Sequence, residues 1–226
     1  MTASVAAREP TRSLFRVVGP GRFPRPIATP AWKRLMDIGG AAAGLVILSP
    51  ALLLIALAIV LDSRGGPIFR QSRVGLGGRV FTCWKFRSMT RDAEALREML
   101  LAQNEASGHI FKMKDDPRRT RVGRFLRRTS LDELPQLWNV LRGDMSLVGP
   151  RPPMVTEVLE YDDNHLQRLA VSPGMTGLWQ VTLRHNHHFG DMVALDVEYA
   201  RRRSFVLDAR ILLKTIPTVL FGRGSH

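Results

Sequence analysis

Two adjacent carboxylates, Asp132 and Glu133, are the side chains in this sequence best suited to catalysis. A carboxylate can attack a phosphorus centre and form an acyl phosphate, and a neighbouring carboxylate can hold Mg²⁺ against a diphosphate. Arginines just upstream can stabilise the charge that develops on a transferred phosphoryl group. The pair therefore predicts phosphoryl-transfer chemistry, with both residues as catalytic groups and as Mg²⁺ ligands. The upstream arginines are Arg118, Arg119, Arg121, Arg124, Arg127 and Arg128.

A helix N-terminus accounts for the same residues without chemistry, and the residues alone favour it. Ser130 and Glu133 have the spacing of a capping box, and Asp132 would stabilise the positive end of a helix dipole. If the helix begins near Leu134, Pro135 takes the favoured first position. The upstream arginines likewise suit either a solvated surface near anionic lipid or a cluster that binds a diphosphate. Both interpretations stay open at this point.

A β-hairpin is predicted for Pro67 to Met89, because two runs of β-favouring residues flank a glycine-rich turn. Lys85 and Arg87 would then project from the same face of the second strand and form a phosphate-binding pair. A solvated strand face is the alternative. Period-two alternation puts four side chains on that face: Phe81, Cys83, Lys85 and Arg87.

Two loop segments hold further candidate residues. Gly149 to Pro153 is predicted to be extended, because proline fixes φ and biases its predecessor away from helix. This segment either holds Arg151 toward the same site or forms a rigid connection between helices. A second segment contains three histidines that match no zinc-ligand spacing, and we expect it to line a substrate loop. Its residues are His185, Asn186, His187 and His188.

The longest apolar segment runs from Ile38 to Leu61 without a charged residue. A run of about 20 apolar residues is enough to cross a bilayer core. Ser49 and Pro50 stand at its centre, where proline bends or breaks a helix and the serine hydroxyl could bond a carbonyl that proline frees. Basic residues flank both ends, and Lys and Arg favour the cytoplasmic side. A re-entrant helix-break-helix, which keeps both flanks in the cytoplasm, is therefore slightly favoured over a kinked span.

Composition and charge limit the remaining possibilities. With 33 Lys and Arg against 20 Asp and Glu, the net charge of +13 suits anionic lipid, nucleic acid or a phosphorylated substrate. We see no nucleic-acid-binding motif, so nucleic acid is not an expected partner. The lone cysteine, Cys83, excludes an internal disulfide and fits a reducing compartment.

Three regions are predicted along the chain. Residues 1–30 are rich in proline and arginine and are expected to be a mobile arm. Residues 31–63 form the membrane helix, and residues 64–222 form a membrane-associated catalytic domain. Within that domain, apolar periodicity predicts amphipathic helices at Arg91 to Asn104 and at Phe205 to Leu220, the latter interfacial or packed.

These motifs, in this order, resemble the bacterial sugar transferase family of monotopic phosphoglycosyl transferases. The resemblance covers roughly Lys33 to Thr215. It is specific because all of its motifs occur along the chain in the order typical of the family. The pieces are Lys33-Arg34 with Asp37, Leu48-Ser49-Pro50, Gln71-Ser72-Arg73-Val74-Gly75, Lys85-Phe86-Arg87-Ser88-Met89, the block Thr129 to Pro152, the run Pro173 to Val181, Leu195-Asp196, Tyr199 and Asp208.

The resemblance implies an α+β, predominantly helical fold with a re-entrant membrane helix, a small β-hairpin and interfacial helices. It implies transfer of a sugar-1-phosphate from a UDP-sugar to undecaprenyl phosphate at the cytoplasmic face of the bacterial inner membrane. Asp132 would be the nucleophile, Glu133 a Mg²⁺ ligand and Arg127 a phosphate contact; Lys85, Arg87, Arg151 and Asp196 would be further substrate-binding residues. Membrane lipid is an expected partner, and a homodimer is a candidate assembly. The chain is closest to the minimal catalytic form, and Gly177 to Val181 resembles hexose-1-phosphate transferases.

Overall fold

The computed structural model describes residues 14–90, 92–100, 116–183 and 188–220. Within these ranges the protein is mostly helical, with one antiparallel β-hairpin and one short parallel strand pair. This agrees with the predicted α+β, predominantly helical class. The elements are α1 (Ala31–Asp62), β1 (Ile68–Val74), β2 (Val80–Phe86), α2 (Ala93–Leu100), α3 (Arg121–Thr129), α4 (Gln136–Arg142), β3 (Ser146–Val148), α5 (Val155–Leu159), α6 (Asp163–Leu166), β4 (Gly174–Thr176), α7 (Leu178–Thr182), α8 (Phe189–Arg202) and α9 (Phe205–Leu220).

The apolar segment lies in α1, which is long and apolar enough to cross a membrane. The helix continues through Pro50 without interruption. The Ser49 hydroxyl donates a hydrogen bond of 2.8 Å to the carbonyl of Val46. That carbonyl lies four residues before Pro50, which has no N–H to donate to it. The expected serine bond is therefore confirmed, whereas a break in the helix is not seen at this point.

The N-terminal end of α1 is fastened to the domain by a buried polar cluster. Lys33 Nζ donates to Asp208 Oδ2 of α9 at 2.6 Å and to the carbonyl of Val148 at 2.9 Å. The Tyr199 hydroxyl, from α8, lies 2.8 Å from the other oxygen of Asp208. Lys33 and Asp208 are both buried, so their charges are paired away from water.

The C-terminal end of α1 is fastened to the same domain. The backbone N–H of Val122 in α3 donates to Asp62 Oδ2 at 3.0 Å. Ile59 is buried against Phe86 and Leu126. Between Ala41 and Ile59 no residue of α1 is buried. The apolar middle of the helix is thus exposed or only partly buried, with Leu45, Leu52 and Ile55 packed against the domain, while both of its ends are held by polar contacts to one folded body.

The predicted hairpin is confirmed as the antiparallel pair β1–β2. Its register sets Gln71 opposite Cys83 and Arg73 opposite Phe81, so these side chains share the face that carries Lys85. The glycine-rich turn includes Gly77 at a φ of 60°, a conformation that favours glycine. This face of the hairpin supplies one wall of the site described below.

Part of the predicted N-terminal arm packs against the domain. Within residues 14–30, Leu14 and Val18 are buried in a core cluster with Val74 and Val80 of the hairpin. Arg22 adds an ion pair of 2.7 Å with Asp163. Prolines and arginines suggested mobility, but the apolar residues among them pack against the domain. The remainder of the predicted arm, residues 1–13, lies outside the described ranges.

Both predicted amphipathic helices are present in the described residues. In α9, Ile211 is buried, whereas Phe205, Leu213 and Ile216 are exposed, which leaves an apolar face uncovered by protein. The other helix is seen over Ala93–Leu100; Arg91 and residues 101–104 lie outside the described ranges.

Candidate active site

A pocket opens between the hairpin, the start of α4 and the loops beside β3 and β4. It holds about 290 Å³ of space, part of it open to solvent. Three of the predicted site residues, Lys85, Glu133 and Arg151, line it together. The other lining residues are Arg73, Cys83, Gln136, Pro152, Gly174, Met175 and Gln180.

The two carboxylates lie in a short 3₁₀ turn, Leu131–Glu133, between α3 and α4. Ser130 ends α3 in the left-handed region, with a φ of 57°, and its side chain makes no capping hydrogen bond to that turn. The capping-box interpretation is therefore wrong. Pro135 is the N-cap of α4 instead of its first helical residue.

Asp132 is buried, with 9% of its surface exposed. Burial raises the pKa of its carboxyl from 3.8 to about 6, and the adjacent charge of Glu133 contributes in the same direction. The positive charges of Lys85 and Arg127 act against that rise. Near neutral pH the group is therefore ionised, yet it is less well solvated than an ordinary carboxylate. Such a group is more reactive toward an electrophile than one surrounded by water.

Glu133 and Lys85 form an ion pair at the pocket wall. Lys85 Nζ donates to Glu133 Oε1 at 2.8 Å. Burial opposes ionisation of Glu133, but Lys85, Arg151 and Arg73 together hold its pKa below the usual value. The side chain of Glu133 keeps 34% of its surface exposed. Glu133 is thus an ionised carboxylate that remains accessible from the pocket.

Arg151 reaches the pocket from the extended segment that follows β3. Gly149 and Gly174 approach so closely that a Cβ on Gly174 would lie 2.0 Å from the nitrogen of Gly149. Behind the loop, Arg168 Nη2 donates to the carbonyl of Arg151 at 3.2 Å. The loop that carries Arg151 is therefore held by close backbone packing and by a buried guanidinium.

Four predicted site residues are not among those that line the pocket: Asp132, Arg127, Asp196 and Arg87. Asp196 is buried in an ion pair with Arg168, so it contacts the residue that supports Arg151 instead of the pocket itself. The Arg87 guanidinium donates to the carbonyls of Ser63, at 2.7 Å, and Arg64, at 2.8 Å, just beyond the end of α1. Arg87 therefore binds the end of the membrane helix in this structure. The alternation of side chains along one strand could not predict the partners of Arg87, because these partners lie just after α1.

Sequence reasoning did not select Arg73 and Gln71 as site residues. Arg73 is 6% exposed and lines the pocket, and its guanidinium donates through Nη2 to Gln71 Oε1 at 2.7 Å. Period-two alternation applied to the first strand, with the antiparallel register, places both on the face of Lys85. Alternation in the first strand is visible in the sequence, whereas the register that brings both residues beside Lys85 is a property of the folded hairpin.

The donor set available to a metal is small. Among the described residues, no group of three or more His, Cys, Asp or Glu side chains could hold a metal ion. Mg²⁺ commonly takes one or two protein carboxylates and completes its shell with water and substrate phosphate. Asp132 and Glu133 fit that number, so the residues suit Mg²⁺ that arrives with a phosphorylated substrate. His185, Asn186 and His187 lie outside the described ranges.

Several characterised proteins are similar to this chain. The galactosyl transferase CpsE of Streptococcus agalactiae serotype III is 48% identical over 197 residues, covering 85% of this chain and 43% of CpsE. The exopolysaccharide production protein ExoY of Rhizobium meliloti is 41% identical over 207 residues, covering 89% of this chain and 91% of ExoY. The UDP-glucose:undecaprenyl-phosphate glucose-1-phosphate transferase of Caulobacter vibrioides is 40% identical over 229 residues, covering 96% of this chain and 80% of that protein.

The relatives differ in how much of their length this chain matches. It spans less than half of CpsE but nearly all of ExoY. A family model described as bacterial sugar transferase matches residues 28–222, which include α1, the hairpin and every pocket residue. The chain therefore belongs to the bacterial sugar transferase family.

Proposed function

We propose that this protein transfers a sugar-1-phosphate from a UDP-sugar to undecaprenyl phosphate and releases UMP. The activity for which the Caulobacter relative is named supports this class of reaction, and that relative aligns with 96% of this chain. The product would be a polyprenol-diphosphate-sugar, the first membrane-bound intermediate of exopolysaccharide, O-antigen or glycoconjugate synthesis. We expect a hexose as the sugar, because the Gly177 to Val181 segment resembles hexose-1-phosphate transferases.

The observation that carries the mechanism is a buried carboxylate, Asp132, whose sequence neighbour Glu133 lines the cationic pocket and whose carboxyl feels the charge of Lys85 in that lining. In the first step an Asp132 oxygen attacks the β-phosphorus of the donor. The bond between that phosphorus and the bridging oxygen breaks, and UMP leaves with the bridging oxygen. The phosphosugar is then held on Asp132 as an acyl phosphate.

In the second step an oxygen of undecaprenyl phosphate attacks the same phosphorus. The bond to Asp132 breaks, and the carboxylate is regenerated for the next cycle. Lys85 and Arg127 are positioned to offset negative charge near Asp132 in both steps. Mg²⁺ held by Glu133 and Asp132 would neutralise diphosphate charge when the donor is bound.

We further propose that α1 is re-entrant, so that the protein is monotopic and faces the cytoplasm. An unbroken span would carry the two ends of a 32-residue helix to opposite sides of the bilayer. Lys33 and Asp62, near those ends, both bind the same polar domain. A bend near Pro50 would keep that domain on one side, with the exposed apolar face of α9 resting on the lipid. A homodimer remains a prediction.

The test is covalent labelling of the protein by a donor radiolabelled in its β-phosphate, without acceptor. The wild-type protein in lipid nanodiscs should gain one phosphosugar in its intact mass and release UMP, and Asp132→Asn should do neither. Asp163→Asn, at a carboxylate 78% exposed, is the matched control and should label normally. If the wild type turns over with acceptor but never carries label, direct attack by the acceptor is the correct mechanism. A screen of UMP release across UDP-sugars would identify the sugar.

A further inference from the structure

Arg73 is a buried cation that makes no ion pair with a carboxylate among the described residues. The hydrogen bonds of its guanidinium go to neutral acceptors: Gln71 Oε1, through Nε at 3.1 Å and Nη2 at 2.7 Å, and the carbonyl of Pro152, through Nη1 at 2.9 Å. A guanidinium has five N–H donors, so donors remain for a ligand. Buried arginines are normally paired with a carboxylate, which makes this arrangement unusual for a purely structural residue.

The positive charge of Arg73 is joined by a second one. Arg73 and Arg151 line the same pocket, and burial together with the charge of Arg151 lowers the pKa of Arg73 to about 10. Two like charges repel each other where water is scarce. Lys85 adds a third cation, although it is already paired with Glu133. The pocket lining therefore holds three cations and one carboxylate, Glu133, while a second carboxylate, Glu157, acts on Arg73 from outside the lining.

The cations follow an order along the pocket relative to Asp132. The principal charges acting on Asp132 are those of Lys85, Glu133 and Arg127, whereas those acting on Glu133 include Arg151 and Arg73. The hairpin register also separates Arg73 from Lys85. Arg73 pairs with Phe81, which is four residues from Lys85 along β2. At about 3.3 Å per residue, these four residues place the backbones of Arg73 and Lys85 about 13 Å apart. Arg73 therefore lies at the end of the pocket that is remote from Asp132.

We propose that Arg73, positioned by Gln71 and acting with Arg151, binds the phosphate of the nucleoside monophosphate that leaves in the first step. This assignment rests on the proposed function, in which Asp132 attacks the β-phosphorus. The α-phosphate must then lie on the far side of that phosphorus from Asp132, where Arg73 and Arg151 are found. Binding there stabilises the negative charge that accumulates on the departing oxygen.

The assignment separates the two half-reactions. The leaving phosphate takes part in formation of the phosphosugar adduct, but it has departed when the acceptor phosphate attacks. Loss of the Arg73 charge should therefore slow adduct formation and leave discharge of a preformed adduct unchanged. A residue that merely supports the fold would affect both steps.

Two substitutions test the charge in different ways. Arg73→Met removes the cation and keeps most of the apolar stem. Gln71→Glu keeps the guanidinium but gives it a carboxylate partner, which balances the charge inside the protein. Their matched controls are Arg79→Met, at an exposed arginine on the same hairpin, and Gln167→Glu, at an exposed glutamine of the domain.

The first measurement is binding of UMP and of uridine to each variant by calorimetry. Both test variants should bind UMP about 10- to 100-fold more weakly, the usual effect of losing a hydrogen bond to a charged group, and should bind uridine as the wild type does. Gln71→Glu should also keep or raise the unfolding midpoint. If Arg73→Met fails to fold, Gln71→Glu still decides the question.

The second measurement is the rate of each half-reaction by quenched flow. Adduct formation should fall by a similar factor in both test variants, with discharge to undecaprenyl phosphate within about twofold of the wild type. UMP affinity that stays within twofold of the wild type, or equal slowing of both half-reactions, would overturn the assignment. Failure of the wild type to form any adduct would instead refute the two-step mechanism, and the UMP and uridine comparison would still report on Arg73.

Discussion

Replacement of Asp132 by asparagine should abolish activity and stabilise the protein at neutral pH. Burial raises the pKa of this carboxyl from 3.8 to about 6. Between these values the folded state binds more protons than the unfolded state, so the free energy of unfolding falls as the pH rises. Above about pH 6 the full cost of an ionised Asp132 is present. Asparagine has nearly the same shape and never ionises, so it avoids this cost.

The size of the effect follows from the shift. A change from 3.8 to about 6 corresponds to at most about 3 kcal/mol in favour of the variant, and this is gained between pH 4 and pH 7.5. For a chain of this size, about 2–4 °C per kcal/mol places the increase in the unfolding midpoint near 10 °C at most. At pH 4 the two proteins should unfold at nearly the same temperature.

The assay is thermal unfolding of both proteins in the same nanodiscs at pH 4, 5, 6 and 7.5, beside UMP release. Asp163→Asn serves as the control and should change the midpoint little at any pH, because its ion pair with Arg22 is exposed. Single-turnover labelling of the wild type should rise with pH around a midpoint near 6, as Asp132 ionises. A variant that is equally stable at pH 7.5, or less stable, would show that Asp132 is not held in an unfavourable environment.

Three further predictions concern the fold. Lys33→Met leaves Asp208 buried without its cation and should lower the free energy of unfolding by about 3–5 kcal/mol, measured by chemical denaturation. The double variant Lys33→Met/Asp208→Leu should recover much of that loss. A single variant as stable as the wild type would contradict the pairing. Gly123→Ala should destabilise the protein, because the new Cβ would lie 1.9 Å from the carbonyl oxygen of Ser88. In an open helix position the same change would stabilise the helix by about 1 kcal/mol. Gly190→Ala, where the space is open, is the control, and equal melting temperatures for both variants would refute the packing. A chain that begins at residue 28 should unfold at a lower temperature than one that begins at residue 14, because it lacks the buried Leu14 and Val18; coincident unfolding curves would show that this packing contributes nothing.

Short-range sequence patterns predicted the helices and strands well, but they predicted poorly which residues contact one another across those elements. The hairpin followed from alternation around glycines, and the serine bond at Val46 followed from the missing N–H of Pro50. The role of Ser130 was missed because the capping box assumed a helix beginning there, whereas α3 ends at that point in a left-handed turn. Spacing alone does not distinguish the end of one helix from the start of the next.

Charged residues were the least predictable part of the candidate site. Arg87 and Asp196 are paired with groups that are distant in sequence, so their positions depend on tertiary packing. The burial of Arg73 does not follow from its position in a strand, because an arginine is usually solvated. Lys85, Glu133 and Arg151 were candidates from strand alternation, from the adjacent carboxylates and from the proline-rich segment, and the structure brings them to one pocket.

The attachment of both ends of α1 to one folded body has a mechanical consequence under the proposed topology. The apolar middle of the helix would enlarge the cytoplasmic leaflet without adding area to the opposite one. Such a wedge favours a bilayer that curves toward the cytoplasm, and insertion of this kind is sensitive to lipid packing. Vesicles of small radius should therefore recruit the protein more strongly than flat bilayers of the same composition.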